Sequence, residues 1–394
     1  MADARGQRTR SAYGIRAVIV AVGVIASSNL TFHLPANSAV AASYGASVQA
    51  MAWATSLYLV ASVAVQVAAG HLADRLDGQR LIVACLVTAT MGSAWCAAAP
   101  GMDTFTLGRM AQCAAAGALV VTRVMIGRSM DPDDAVAAQG LLMATTAAGA
   151  VVMPLLGAII AGSYGWRATF AVAVMLGIAG SAIVSAGLRP DRPENPEPPA
   201  RLDEEGRLEP VAWVTFATAC LSVSTYQAML VLVPMLFAHE EDAASLTGWA
   251  LSLASFGFVL SSFSTRFLTD ALGSVGLIIA GRLVCIAASA LLMASGASAE
   301  ALVAVTVLAL FAIGVGDGLT IPSAIAETMQ LARRSAGLLS GLFGAASVLV
   351  GVAVSNAVVG VAEDAADPYW PVALALAIPI SLSFLAALLA IRPR

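Results

Sequence analysis

Stretches of about twenty apolar residues recur along almost the whole sequence, and that recurrence is the strongest constraint on what this chain can fold into. An apolar run of that length spans a bilayer as a helix. Lipid cannot satisfy backbone N–H and C=O groups, so each run is expected to close its hydrogen bonds internally as a helix. Read on that ruler, the sequence gives helices near residues 15–35, 49–69, 81–99, 104–127, 137–161, 168–188, 210–236, 248–268, 275–296, 300–323, 337–361 and 371–391. Alternating ten-residue segments of a membrane β-barrel are not seen. Of the 394 residues 59% are hydrophobic and only 11% charged, too few charges to cover a water-soluble surface of this length. The expected class is an all-α membrane protein of twelve spanning helices.

The basic residues set the expected orientation. All 20 are arginine, and with both termini in the cytoplasm all but a few lie on that side or at that end of a helix. Predicted outer loops carry acids instead: Glu240, Glu241, Asp242, Glu363, Asp364 and Asp367, with Arg167 the clear exception. A basic start (Arg5, Arg8, Arg10, Arg16) precedes the first apolar run as in a signal peptide. More spans follow directly, so it reads as a first helix held at its cytoplasmic end. The net charge of −4 says little about partners, and no basic run resembles a nucleic-acid patch, so no nucleic-acid partner is expected. Five cysteines, all within apolar stretches, fit neither a metal site nor a disulfide framework, and no cofactor motif or catalytic dyad is present.

One segment differs in kind. Residues 189–209 are rich in proline and charge and read as a cytoplasmic linker between an N-terminal bundle (1–188) and a C-terminal bundle (210–394). The two halves echo one another at an offset of 196. HLADRLDGQRLI at 71–82 lies over FLTDALGSVGLI at 267–278, with Asp74 over Asp270. Two related halves about a central site form a transporter architecture.

Three motifs carry a family resemblance. GHLADRLDGQR (70–80) resembles the loop signature G-x-L-a-D-R-x-G-r-r of the major facilitator superfamily, with one extra residue before Gly78. Its Gly70 and Gly78 suit a tight turn and close helix approach. Asp74, Arg75 and Arg80 would stand at the cytoplasmic mouth. The resemblance implies that Asp74 faces the start of the eleventh helix, where a helix N-terminus favours negative charge. In LGRMAQCAAAGALVVTRVMIGRSM (107–130), Arg109 and Gln112 match the motif R-x-x-Q-G-x-g-a, with Cys113 in place of its glycine. AGAVVMPLLGA (148–158) is similar to the antiporter motif G-x-x-x-G-P-x-x-G-G: Gly149, Pro154 and Gly157 remain, and Met153 and Ala158 replace glycines. Pro154 is expected to kink its helix. Helices four to six resemble the drug:proton antiporters related to bicyclomycin and chloramphenicol resistance. That branch carries an acid in helix one, within D-x-Y-L-P. Here Thr31-Phe32-His33-Leu34-Pro35 stands there, and helix one has no acid.

The expected cavity residues are Asn29, Thr31, His33, Arg109, Gln112, Ser222, Tyr226 and Gln227, since the resemblance implies that helices 1, 4, 7 and 10 line the pathway. Asn29 and His33 are four apart on one helix face, as are Ser222 and Tyr226. Arg109, a cation within a span, either binds substrate, sets the protonation of a neighbour, or is structural, snorkelling to the interface or tying down carbonyls. His33 can carry a proton in place of the lost acid, or stay neutral within the bundle. Asp317, in GVGDGLTIP, can couple protons, gate, or hydrogen-bond structurally; its flanking glycines and Pro322 suggest a bendable helix end. Ser222, Tyr226 and Gln227 either bind substrate or tie helices together.

These readings imply a secondary active transporter working by alternating access and exporting a small neutral or weakly anionic amphiphile. No nucleotide-binding loop is found, so direct ATP drive is not expected, and the resemblance implies proton antiport. The expected partners are the substrate, protons and the lipid of a bacterial inner membrane, and a monomer is the expected state. A metabolite importer or facilitator of the same fold and a non-transporting receptor or scaffold are the alternatives.

Overall fold

The computed structural model of the protein describes residues 2–46, 48–187, 210–236, 243–295, 299–332, 336–363 and 369–389. All regular elements among them are helical. In chain order they are α1 (Ala2–Thr31), a 3-10 turn η1 (Leu34–Ala36), α2 (Asn37–Ser43), α3 (Val48–Ala73), α4 (Gly78–Ala98), α5 (Met102–Gln112), α6 (Ala114–Ser129) and α7 (Pro132–Tyr164). They continue with α8 (Trp166–Gly187), α9 (Pro210–Leu236), α10 (Ala243–Ser295), α11 (Ala299–Leu331), α12 (Ala336–Glu363) and α13 (Tyr369–Leu389).

Each of the twelve expected spans has its helix. α10 supplies two, because Gly273 at φ 66°, ψ 171° breaks it. Only glycine enters that backbone region without strain. The expected fourth helix is divided at Cys113. There Cys113 N donates to Met110 O (3.3 Å) and Ala116 N to Cys113 O (3.0 Å), three-residue bonds that tighten the turn between α5 and α6. The short helices η1 and α2 were not expected. Pro35 inside η1 ends the first span, and α2 follows directly. The expected linker 189–209 and most of the outer acids fall outside the described residues.

The molecule is built for lipid. Large apolar side chains face outward, among them Ile159 (65% exposed), Ile178 (61%) and Phe256 (61%). Serines and threonines are buried instead, and most donate to a carbonyl one turn back in their own helix, as Thr122 does to Ala118 O (2.8 Å). Without a hydrophobic drive between helices in lipid, close packing takes over, and small residues set how near two helices come.

The chain divides into two compact units. One comprises Met1–Ile126, Thr145–Pro198 and Arg334–Leu342; the other comprises Gly127–Ala144, Pro199–Arg333 and Phe343–Arg394. In the first, α8 runs antiparallel to α1, with Gly187 against Gly14 and Gly180 against Ile25. α1 and the second half of α7 run parallel, touching in step at Gly23 with Thr145, Ser27 with Gly149 and Phe32 with Gly157. An aromatic cluster of Tyr44, Phe105, Trp166 and Phe170 joins α2, α5 and α8 at one end of this unit. In the second unit, α9, both limbs of α10, α11 and α13 share a core that includes Met229, Leu232, Ala254, Leu310 and Leu376.

Candidate functional site

Arg109 is the largest fully buried side chain of the first unit, 1% exposed. Its position follows from local sequence. Thr104 Oγ1 accepts from Gly101 N (3.3 Å) and donates to Gly101 O (2.8 Å), starting α5 at Met102. Gly92 and Gly108 then let α4 and α5 meet backbone to backbone: a Cβ on Gly92 would lie 2.7 Å from Gln112 N and 2.8 Å from Gly108 O. That approach brings Ser93 to Gln112, whose Nε2 donates to Ser93 Oγ at 2.8 Å. Ser93 Oγ donates in turn to Asn29 Oδ1 (3.3 Å) and Ala89 O (3.0 Å). Arg109 Nη1 closes the ring by donating to Asn29 O (2.9 Å) and to Gln112 Oε1. The Tyr58 ring of α3 lies 4.4 Å from the guanidinium carbon. Nε and Nη2 of Arg109 are buried with no partner among the described residues. Four helices thus fix a cation that has no carboxylate in its hydrogen-bond shell.

The structure brings Asn29, Arg109 and Gln112 together, and Ser93 and Tyr58 belong with them although neither stood out in the sequence. Serines are too common within spans to mark one as a bridge. Thr31 is turned back on its own helix, donating to Ser27 O at 2.9 Å. His33 does not share a bond with Asn29. It precedes η1, is 3% exposed, stacks at 5.9 Å on Phe170 and leaves Nε2 without a partner.

Asp317 lies in the second unit, fully buried, in an ion pair with Arg282 of α10. Arg282 Nε also donates to Thr320 Oγ1 (3.0 Å), and Cys285 Sγ approaches Asp317 Oδ1 at 3.9 Å. Asp317 Oδ2 and Arg282 Nη1 have no partner among the described residues. The glycines around Asp317 do not end the helix: α11 is continuous from Ala299 to Leu331 through Pro322. They admit its neighbours instead. Gly314 and Gly318 meet Ala254 and Phe258 of the first limb of α10, and Gly316 meets Gly281 and Cys285 of the second. Arg282 was missed because it passed as one of the cytoplasmic arginines; its place seven residues inside the apolar run from 275 was the available signal.

Ser222 and Tyr226 part ways despite sharing a face. Ser222 Oγ donates to Thr218 O (2.7 Å) and pairs with Ser383 Oγ of α13 (3.2 Å), whereas Tyr226 Oη pairs with Ser255 Oγ of α10 (3.0 Å). Gln227 is half-buried and packs its Cβ against Gly351 of α12.

The family profile described as Major Facilitator Superfamily matches residues 19–356. The chain belongs to the major facilitator superfamily. Its fold is similar to that of the E. coli fucose:proton symporter FucP, with a TM-score of 0.77 at 14% identity over 96% of this chain and 98% of that one. In sequence it is 24% identical over 351 residues to the multidrug resistance protein MdtL of Klebsiella pneumoniae, covering 85% of this chain and 88% of that protein. It is also 28% identical to a multidrug resistance protein B homolog of Mycobacterium tuberculosis, over 45% of this chain and only 33% of that longer protein.

The superfamily loop signature sits between α3 and α4. Asp74 Oδ1 accepts from Gly337 N (2.9 Å) and Oδ2 from Leu338 N (3.0 Å), so the carboxylate caps the first turn of α12. Gly70 allows this, since a Cβ there would strike Gly337 O. Gly78 plays a different part from the one expected. It is the first residue of α4 and lacks a positive φ, and a Cβ on it would meet only Val121 Cγ1, at 3.9 Å. The turn is made by Asp77, whose side chain accepts from Arg80 N at 2.8 Å. Arg75 and Arg80 lie at the surface beside it, both exposed. The internal echo is incomplete here: Asp270, the counterpart of Asp74, is exposed with no partner among the described residues. In the antiporter-like stretch, a Cβ on Gly149 would enter Ser27 and one on Gly157 would enter Phe32 O, while Pro154 lies between them inside a continuous α7. This is a packing seam with α1.

Proposed function

We propose that the protein is a secondary active transporter that exports a small neutral or weakly anionic amphiphile by alternating access of its two sequence halves, 1–188 and 210–394. Membership of the superfamily makes it a multi-pass membrane transporter. The multidrug resistance proteins among its relatives support export, and their bacterial sources support the inner membrane. The observation that carries the substrate class is Arg109: a buried guanidinium whose hydrogen bonds all go to neutral oxygens. Its uncompensated field opposes a lipophilic cation and favours a neutral or anionic one. Proton antiport is part of the proposal. His33 is supported as carrier by its unpartnered Nε2, whereas the charge of Asp317 is already met by Arg282.

Transport in proteoliposomes, with and without a pH gradient, tests this. Neutral antibiotics are expected to move and cationic dyes to be excluded, with gradient-driven flux lost in His33→Phe and downhill flux retained. Robust export of cationic dye, abolished by Asp317→Asn, overturns both the substrate class and the carrier.

A further inference from the structure

The unpaired atoms of Arg109 are not scattered. Nη1 makes both of its hydrogen bonds, to Asn29 O and Gln112 Oε1, and the two without partners among the described residues are Nε and Nη2. Those two nitrogens share one edge of a guanidinium, and their N–H groups point in parallel, the spacing of the two oxygens of a carboxylate. The ring of Asn29, Ser93 and Gln112 therefore holds the guanidinium by one corner and leaves its bidentate edge open.

Between α3 and α5 lies a groove of about 450 Å³, lined by Ala54, Leu57, Met102, Thr106 and Leu107 and by the exposed Asp103; Arg109 itself is not in its wall. Tyr58 is one helical turn beyond Ala54, and Arg109 is one turn beyond Thr106, so each continues a face that lines the groove. The volume and the apolar walls suit a small amphiphile. Asp103 stands six residues from Arg109, roughly 9 Å along the helix, where water screens it.

We infer that Arg109 is a carboxylate-binding residue, and that the ligand is an amphiphile with one carboxylate on the Nε–Nη2 edge and its apolar body along the α3–α5 groove. This rests on the transport reading above and narrows its substrate class from neutral or anionic to carboxylate-bearing. The edge is buried in this conformation, so entry requires the side chains around it to shift.

The test uses the purified full chain in detergent with 2-naphthoate, 4-phenylbutyrate and decanoate, each compared with its own carboxamide. Losing a charge-assisted bidentate contact costs about tenfold or more in affinity. At least one carboxylate is expected to bind about tenfold more tightly than its amide, and Arg109→Lys, which keeps the charge but not the fork, to narrow that ratio to within about threefold. In the wild type the same carboxylate, and not its amide, should raise the apparent Tm, a readout that does not depend on a variant folding. No carboxylate preference in the wild type, or a preference unchanged in Arg109→Lys, overturns the assignment. An acid of this chain that swings onto Arg109 during transport would give defective flux in Arg109→Lys without ligand discrimination, which also overturns it. Flux of a neutral antibiotic and of the bound carboxylate on the same preparation separates the two readings: neutral flux without carboxylate preference removes only this inference, and carboxylate preference with flux of neither compound removes only export.

Discussion

Replacing Asp317 by asparagine removes one charge from a pair whose side chains are both fully buried. The asparagine is nearly isosteric, so no cavity opens, and the effect isolates the charge. Breaking a buried pair by removing one partner costs about 3–5 kcal/mol, because the other charge stays behind in low dielectric. The two single variants should differ. A buried acid without its cation can take up a proton and become neutral, whereas a guanidinium cannot shed one. Asp317→Asn is therefore expected to be the worse variant, and Arg282→Met the milder one. In Asp317→Asn, Arg282 keeps its contact to Thr320 Oγ1 and can still donate to the amide oxygen, but it has lost its counter-charge. Combining the two substitutions removes both charges and should recover much of the loss, with a coupling energy of about 2 kcal/mol or more. Scanning fluorimetry on tryptophan emission in detergent reads this as a fall in apparent Tm on the order of 5–10 °C for Asp317→Asn. An Asp317→Asn protein as stable as the wild type, or a double variant no better than the sum of the singles, refutes the claim that the pair matters as a pair.

Two further perturbations test the packing. Gly78→Ala should be neutral or stabilising by up to about 1 kcal/mol, since the position is helical with open space around it, whereas Gly157→Ala, whose new methyl enters Phe32 O, should lose about 1–3 kcal/mol; equal apparent Tm values for the two would contradict the α1–α7 seam. Asp74→Ala removes the cap of α12 and should cost about 0.5–2 kcal/mol of apparent stability together with a change in transport rate, and an unaltered rate and Tm would show the cap to be idle.

The spanning helices were legible because the bilayer imposes one long apolar run per crossing, and every expected run has its helix. What the sequence hid lies where apolarity is uninformative. α2, NSAVAAS, is small and mildly polar and carries no span-length signal. The division at Cys113 falls inside an unbroken apolar stretch, and it is hydrogen-bond geometry that tightens the chain there. At the site, Arg109 and Asp317 announced themselves as charges within spans. Their partners did not: Ser93 looks like any other small residue of a membrane helix, and Arg282 was absorbed into the charge bias that orients the chain. The two limbs of α10 could be read as separate helices, but not that the glycines of GVGDG would be the contacts by which α11 fits against both of them.

The ion pair of the second unit also has a chronology. Arg282 and Asp317 are 35 residues apart in sequence, on helices that leave the ribosome one after the other. The second limb of α10 therefore enters the lipid carrying its guanidinium alone, at a cost of about 2.5–3.5 kcal/mol if the charge sits at mid-bilayer. The run of leucines, isoleucines and alanines around Arg282 has to carry that burden until α11 delivers the acid. The order of synthesis makes the later helix the one that completes the insertion of the earlier.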